Sequence, residues 1–308
     1  MDRNIRQLID FATRQSLSCI FPVTIFAALA LTRVISVPGL PRYDLILIIC
    51  LFVQYLMYRS RLETRDELKV IAVFHIAGLL LELFKTHMGS WSYPEPALSK
   101  VVTVPLYSGF MYASVASYMC QAWRRLDLDL TSWPAHGLVY PLGALIYINF
   151  FSEHYFLDLR YLLIAAVFIL FCRTRVLFTV SEIRRSMPLS VAFVLIGFFV
   201  WIAENIGTYL SGWQYPHQAD TWRLVHSAKI TSWFLLVIVS FIFVAELKYV
   251  KAKLKGIDSS DGTSDKKITD GGDKLRRRDP ALIEMPGDAE SETLPVAAAQ
   301  VLLGINDK

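Results

Sequence analysis

Two stretches decide how this chain is read: Glu82-Leu83-Phe84-Lys85-Thr86-His87-Met88-Gly89-Ser90-Trp91-Ser92-Tyr93-Pro94 and Glu204-Asn205-Ile206-Gly207-Thr208-Tyr209-Leu210-Ser211-Gly212-Trp213-Gln214-Tyr215-Pro216. The pattern E-x3-T-x4-W-x-Y-P occurs in both without a gap, and each of its five residues is displaced by 122 positions. Two Trp among five matches mark a duplication. Each stretch opens inside an apolar run, Leu79-Leu80-Leu81 before Glu82 and Trp201-Ile202-Ala203 before Glu204.

Composition agrees with apolar runs of this kind. Of 308 residues, 54% are hydrophobic and 19% charged, against about 25% charged in soluble domains. Mean hydropathy is +0.42. A soluble enzyme is excluded, and four cysteines are too few for a secreted disulfide scaffold. The net charge of +4 comes from Lys and Arg placed between the apolar runs, so nothing in it calls for nucleic acid.

A helix crosses a bilayer with about 20 mostly apolar residues. Eight candidate spans occur, at roughly 16–36, 43–58, 67–85, 100–122, 135–152, 158–173, 188–209 and 228–247. Their flanks alternate in positive charge. Sixteen Lys and Arg, from Arg3 to Lys255, fall on one side, and seven (Arg33, Arg42, Lys85, Lys100, Arg160, Arg223, Lys229) on the other. The positive-inside rule then places both termini in the cytoplasm, as an even span number also does. Ala28-Leu29-Ala30 looks like a signal-peptidase site, but Asp2 and Asp10 in the preceding segment argue against one. The offset of 122 carries spans three and four onto seven and eight, and roughly one and two onto five and six. The expected fold is all-α: a polytopic membrane protein of eight transmembrane helices in two parallel four-helix repeats, with a ligand site between the halves. The expected boundaries are a cytoplasmic segment 1–15, repeats 16–122 and 135–250 joined by 123–134, and a disordered cytoplasmic tail 251–308. From Ser259 onward that tail is polar and lacks aromatic residues.

Glu82 and Glu204 are the candidate catalytic residues. An ionisable side chain in an apolar helix is costly and faces a bundle interior or a wet cavity; the alternative is a pair of structural carboxylates. Thr86 and Thr208 follow four residues on, which shares a helix face, and His75 lies seven residues before Glu82. Asn205 has no counterpart in the first copy, where Leu83 stands. Trp91, Tyr93, Trp213 and Tyr215 fall beyond the helix ends, as an aromatic belt or as a loop folded back over a pocket. Lys229 aligns with Tyr107 under the offset; it snorkels to headgroups, neutralises Glu204 or meets an anionic ligand. These residues form the expected ligand site. Glu153-His154 and Asp158 lack metal-ligand spacing, no cofactor motif occurs, and no metal or cofactor is expected. The four cysteines do not pair by spacing and read as small hydrophobes.

With these motifs, and with Val104-Pro105-Leu106-Tyr107-Ser108-Gly109-Phe110-Met111-Tyr112 after the first, the chain resembles the YoaT-like family of bacterial integral membrane proteins, a domain of unknown function, over roughly residues 10–250. That resemblance implies a membrane location and no activity. A fainter similarity is to membrane carotenoid cyclases and hydratases, which also carry an intramembrane carboxylate and a W-x-Y element. Here Pro105 is followed by Leu106-Tyr107, where the cyclases have paired glutamates after a proline. The function expected first is binding or conversion of an isoprenoid-like lipid, with a buried glutamic acid as proton donor. A proton-coupled small-solute transporter comes second and a structural membrane protein third. The expected partners are membrane lipid and a small or lipid-like ligand.

Overall fold

The computed structural model describes residues 3–261. Each of the eight apolar segments contains a helix. The helices α1 (Arg3–Ser18) and α2 (Ile20–Val34) meet at Cys19 with a bend of 64°. They are followed by α3 (Arg42–Arg59), α4 (Arg65–His87), α5 (Tyr107–Arg125), α6 (His136–Ser152), α7 (Arg160–Leu170), α8 (Leu189–Tyr209) and α9 (Lys229–Asp261).

The helices bear out the helical expectation but do not by themselves carry a count of eight spans. Among the described residues, only α8 is long and apolar enough to cross a bilayer, with the bent α1–α2 pair as a second if it counts as one span. The reasons are physical. The eleven residues of α7 make about 16 Å of helix, against a hydrocarbon core of about 30 Å. Helix α4 carries Arg65, Asp66, Glu67, Lys69, Glu82 and Lys85. The packed body is Met1–Leu247, and Lys248–Lys308 is a separate unit. Helix α9 continues into the expected tail as far as Asp261; the rest of that expectation, 262–308, lies outside the described residues.

The all-α expectation also needs correcting, because two small antiparallel sheets are present. One is the hairpin β1 (Lys100–Val101) with β2 (Val104–Pro105). The other has the order β3 (Asp129–Thr131), β4 (Arg175–Val180), β5 (Ile183–Pro188). Val180 pairs with Ile183 across Ser181-Glu182, both at positive φ (47° and 65°). A two-residue turn with that geometry matches the twist of a hairpin. It is normally announced by Asn or Gly, and Ser-Glu conceals it.

Helix α5 is the centre of the body and is buried almost all round. Gly109, Ala113, Ser114, Ala116 and Ser117 let α1, α2, α3 and α4 approach it closely. Local chemistry sets the ends of α4. Thr64 accepts from the Glu67 backbone while the Glu67 side chain accepts from the Thr64 N–H, a reciprocal cap worth about 1 kcal/mol. At the other end Gly89 adopts φ 70°, its N–H reaching the Thr86 carbonyl at 3.1 Å and the Ser90 N–H reaching Lys85 at 2.9 Å.

Helix α8 ends the same way, 122 residues on. Ser211 adopts φ 57°, its N–H meets the Thr208 carbonyl at 3.0 Å, and the Gly212 N–H meets Gly207 at 2.9 Å. Helices α5 and α9 also begin 122 residues apart, at Tyr107 and Lys229. Ser92 and Gln214, another pair with this offset, exchange two backbone hydrogen bonds of 2.9 Å with each other.

Candidate functional site

The two left-handed helix ends turn the chain back over the helix it has just left. That geometry gives the Glu-to-Trp spacing of nine its meaning. Glu82 is 2% exposed. It accepts from Trp91 Nε1 at 2.6 Å and from the hydroxyls of Tyr93 and Tyr112 at 2.8 Å each. Glu204 is 3% exposed and accepts from the Tyr215 hydroxyl and from Trp233 Nε1. Each carboxylate is thus clamped by an indole N–H and at least one phenol O–H, donors that also offer apolar faces.

The copies recruit these donors differently. Trp91 bonds its own Glu82. Its equivalent Trp213 does not bond Glu204: the ring lies against Gly207, where a Cβ would sit 2.4 Å from it. Trp233 replaces it from α9. Neither Tyr112 nor Trp233 was among the expected site residues. A Trp or Tyr in an apolar helix gives no sign of its partner; the sequence shows Tyr112 only as one of the hydroxyl-bearing residues Tyr107, Ser108, Tyr112, Ser114, Ser117 and Tyr118 of its span, which read as helix packing.

Lys229, at the first residue of α9, joins the two clamps. Its Nζ lies 5.2 Å from the Trp91 ring centre and 5.0 Å from that of Tyr215. Those two rings are 5.9 Å apart, edge to face. The order through space is therefore carboxylate, ring, ammonium, ring, carboxylate: Glu82 holds the edge of Trp91, Glu204 holds the hydroxyl of Tyr215, and Lys229 touches both faces. Cations within about 6 Å of a ring centre are attracted by its quadrupole, most strongly when desolvated. A cavity of about 40 Å³ adjoins the rings, bordered also by Tyr112, Trp233, Lys85 and Glu153.

Beside it Lys85 pairs with Glu153 at 2.5 Å, and Arg160 meets Glu153 at 2.8 Å and Asp158 at 3.3 Å. Burial alone would raise the Glu153 carboxyl, but the hydrogen bond and charge of Lys85, joined by Arg160, outweigh it and hold that group below its ordinary 4.5. Burial, then the Lys85 charge, holds the His154 imidazole below 6.5. His154 Nε2 lies 3.1 Å from Ser90 Oγ. Among the described residues no group of His, Cys, Asp and Glu is arranged to hold a metal ion.

The remaining expected ligand residues serve the frame. Tyr107 is fully buried, donates to the Gly212 carbonyl and packs edge-on against Tyr93. Thr86 donates back to the Glu82 carbonyl at 2.8 Å. Asn205 donates to Trp201 and accepts from the Val225 N–H at 2.9 Å, and Thr208 accepts from Trp222 Nε1 at 3.2 Å, so both strap the loop before α9. His75 lies apart, its ring against Gly109 and 4.5 Å from the Phe110 ring, with a buried Nδ1 that has no hydrogen-bond partner among the described residues. Arg42, read in the sequence only as a flanking charge, caps the end of α8 through the Leu210 and Ser211 carbonyls and pairs with Glu95 at 2.6 Å.

The chain belongs to the family described as "Protein of unknown function (DUF817)", whose model matches residues 7–241. It is 59% identical over 249 residues to "Uncharacterized protein YoaT" of Bacillus subtilis (strain 168), covering 81% of this chain and 94% of that protein. No solved structure matches it.

Proposed function

We propose that this is a multi-pass protein of the bacterial cytoplasmic membrane, both termini inside, that couples proton movement to the passage of a small solute between two similar halves. Its membrane placement is supported by the large apolar side chains that α3, α6, α7 and α8 turn outward. Ile48, Phe52, Leu145, Ile148, Leu162, Ile169, Leu195 and Phe199 are among them. Soluble monomers rarely leave so many large apolar side chains facing water.

One observation carries the function: the charge count of the site. Glu82, Glu204 and Lys229 sum to one negative charge when all are ionised. The neighbouring Lys85, Arg160, Glu153 and Asp158 sum to zero. Buried charges persist only when paired. A buried site one positive charge short calls for a proton or a cation, and exchange of one for the other is the elementary step of proton-coupled transport. Duplicated halves place such sites at their interface.

The lipid reading has less support. The cavity of about 40 Å³ has room for about three waters. Even benzene occupies an engineered cavity of about 150 Å³, and an isoprenoid is larger. Solute-induced currents from proteoliposomes on a solid-supported membrane test the proposal. Wild-type protein should give currents that reverse with an imposed proton gradient, and Glu82→Gln and Glu204→Gln should abolish them without unfolding. Currents absent across a panel of small amines, amino acids and sugars would sink the transport reading and return attention to lipids.

A further inference from the structure

A substrate class follows from what already occupies the aromatic cage. We infer that the site takes a small alkylammonium ion, and that the ammonium of Lys229 is its tethered stand-in, occupying the place between Trp91 and Tyr215 when the ligand is absent. The inference rests on the reading of the site as one that exchanges cations.

Three features converge. First, Lys229 meets two aromatic faces, within 5.2 and 5.0 Å, and no carboxylate lies within ion-pair distance of its Nζ among the described residues. A structural lysine in a site with two buried carboxylates would be expected to pair with one directly, as Lys85 does with Glu153 at 2.5 Å. Second, both rings are hydrogen-bonded at their edges to carboxylates, Trp91 to Glu82 and Tyr215 to Glu204. Electron density drawn from an anion into the ring edge strengthens the face that a cation meets. Faces of this kind, with no acceptor aimed at the cation, favour an ammonium whose hydrogens are partly replaced by alkyl groups over a hydrated metal ion. Third, Lys229 is the first residue of α9 and follows the exposed His226-Ser227, so its side chain can leave for water without moving the helix. Its departure vacates the space of four heavy atoms beside the existing cavity of about 40 Å³, enough for a few-atom ammonium and too little for a sugar or a lipid tail.

The test uses the full chain purified in mild detergent, with methylammonium chloride as the probe and sodium chloride at equal ionic strength as the control. Thermal unfolding is followed by tryptophan fluorescence. Lys229→Ala should gain a saturable rise in Tm with methylammonium, at concentrations at least about tenfold lower than wild type requires. Adding Trp91→Leu should weaken that binding by about tenfold or more, the worth of one desolvated face. Tyr215→Phe keeps the face and should retain most of it. Equal affinity in wild type and Lys229→Ala, no saturable shift in Lys229→Ala, or indifference to Trp91→Leu would each overturn the inference. Should Lys229→Ala fail to fold in sodium chloride, the variant is purified in methylammonium chloride: recovery of monodisperse protein supports the stand-in role, and equal loss in both salts overturns it. Binding without solute-driven current would remove transport and leave the ammonium site standing.

Discussion

Removing the Tyr112 hydroxyl tests whether Glu82 is held as a charged acceptor. Tyr112→Phe keeps the ring, which packs over Gly78, and removes one of three donors to a carboxylate that is 2% exposed. A hydrogen bond to a charged group is worth about 1.5–3 kcal/mol and one between neutral groups about 0.5–1.5 kcal/mol. Tyr112→Phe should therefore cost about 1.5–3 kcal/mol in the wild-type background. In a Glu82→Gln background the acceptor is a neutral amide whose NH2 must face one of the three donors, so the same change should cost about 1 kcal/mol or less. The coupling energy of the double-mutant cycle is then about 1–2 kcal/mol. Thermal unfolding in detergent, read by tryptophan fluorescence, resolves this, since a chain of this size shifts by about 2–4 °C per kcal/mol. A coupling below about 0.5 kcal/mol would refute the account of Glu82 as an ionised acceptor clamped by three donors.

Ser211 holds a left-handed conformation that costs an L-residue about 1–2 kcal/mol, so Ser211→Gly should raise stability by about 1 kcal/mol and Gly89→Ala should lower it by as much, both read as Tm shifts. A Cβ at position 78 would lie 2.4 Å from the Tyr112 ring, so Gly78→Ala should cost about 1–3 kcal/mol by overpacking and should cut solute-driven current by displacing Tyr112 from Glu82. Glu153 has a folded-state pKa below its ordinary 4.5, so the stability it contributes is fully present above that value and drains away as pH falls from 4.5 through the lowered pKa. The acid limb of a Tm-against-pH curve should accordingly be shallower in Glu153→Gln than in wild type. An unchanged limb would show that the Lys85–Glu153 pair does not set it.

The legible part of this protein was the part governed by short-range chemistry. The starts and stops of α3, α4, α6 and α8 fall within a few residues of the expected segments because a cap, a proline or a left-handed turn closes each helix on groups three to six residues away. The hairpin of β4 and β5 escaped notice. Its run Val176-Leu177-Phe178-Thr179-Val180 has strand chemistry, yet its Ser-Glu turn lacks the residues that usually betray positive φ. The expectation of eight spans followed from apolar content alone, which registers neither the bend at Cys19 nor how much of a polar helix is covered by its neighbours.

What the sequence determined by itself was the duplicated Glu–Thr–Trp–Tyr–Pro segment, and with it the two turn-backs that bring Trp91, Tyr93 and Tyr215 onto their glutamates. All of that is decided within eleven residues by helix geometry and a left-handed cap. Tertiary structure alone decided that Trp233 clamps Glu204 in place of Trp213, that Tyr112 joins Glu82, that Lys85 meets Glu153, and that Lys229 stands between rings from both copies. Those partners lie 14 to 138 residues apart in the chain, and an offset of 122 states that two segments are alike without stating that they face each other. Only the packing of α4, α5, α8 and α9 brings donors of both carboxylates, Trp91 and Tyr112 for Glu82 and Tyr215 and Trp233 for Glu204, to the border of one cavity, because burial rewards satisfying each charge and no local rule says which distant donor will do it.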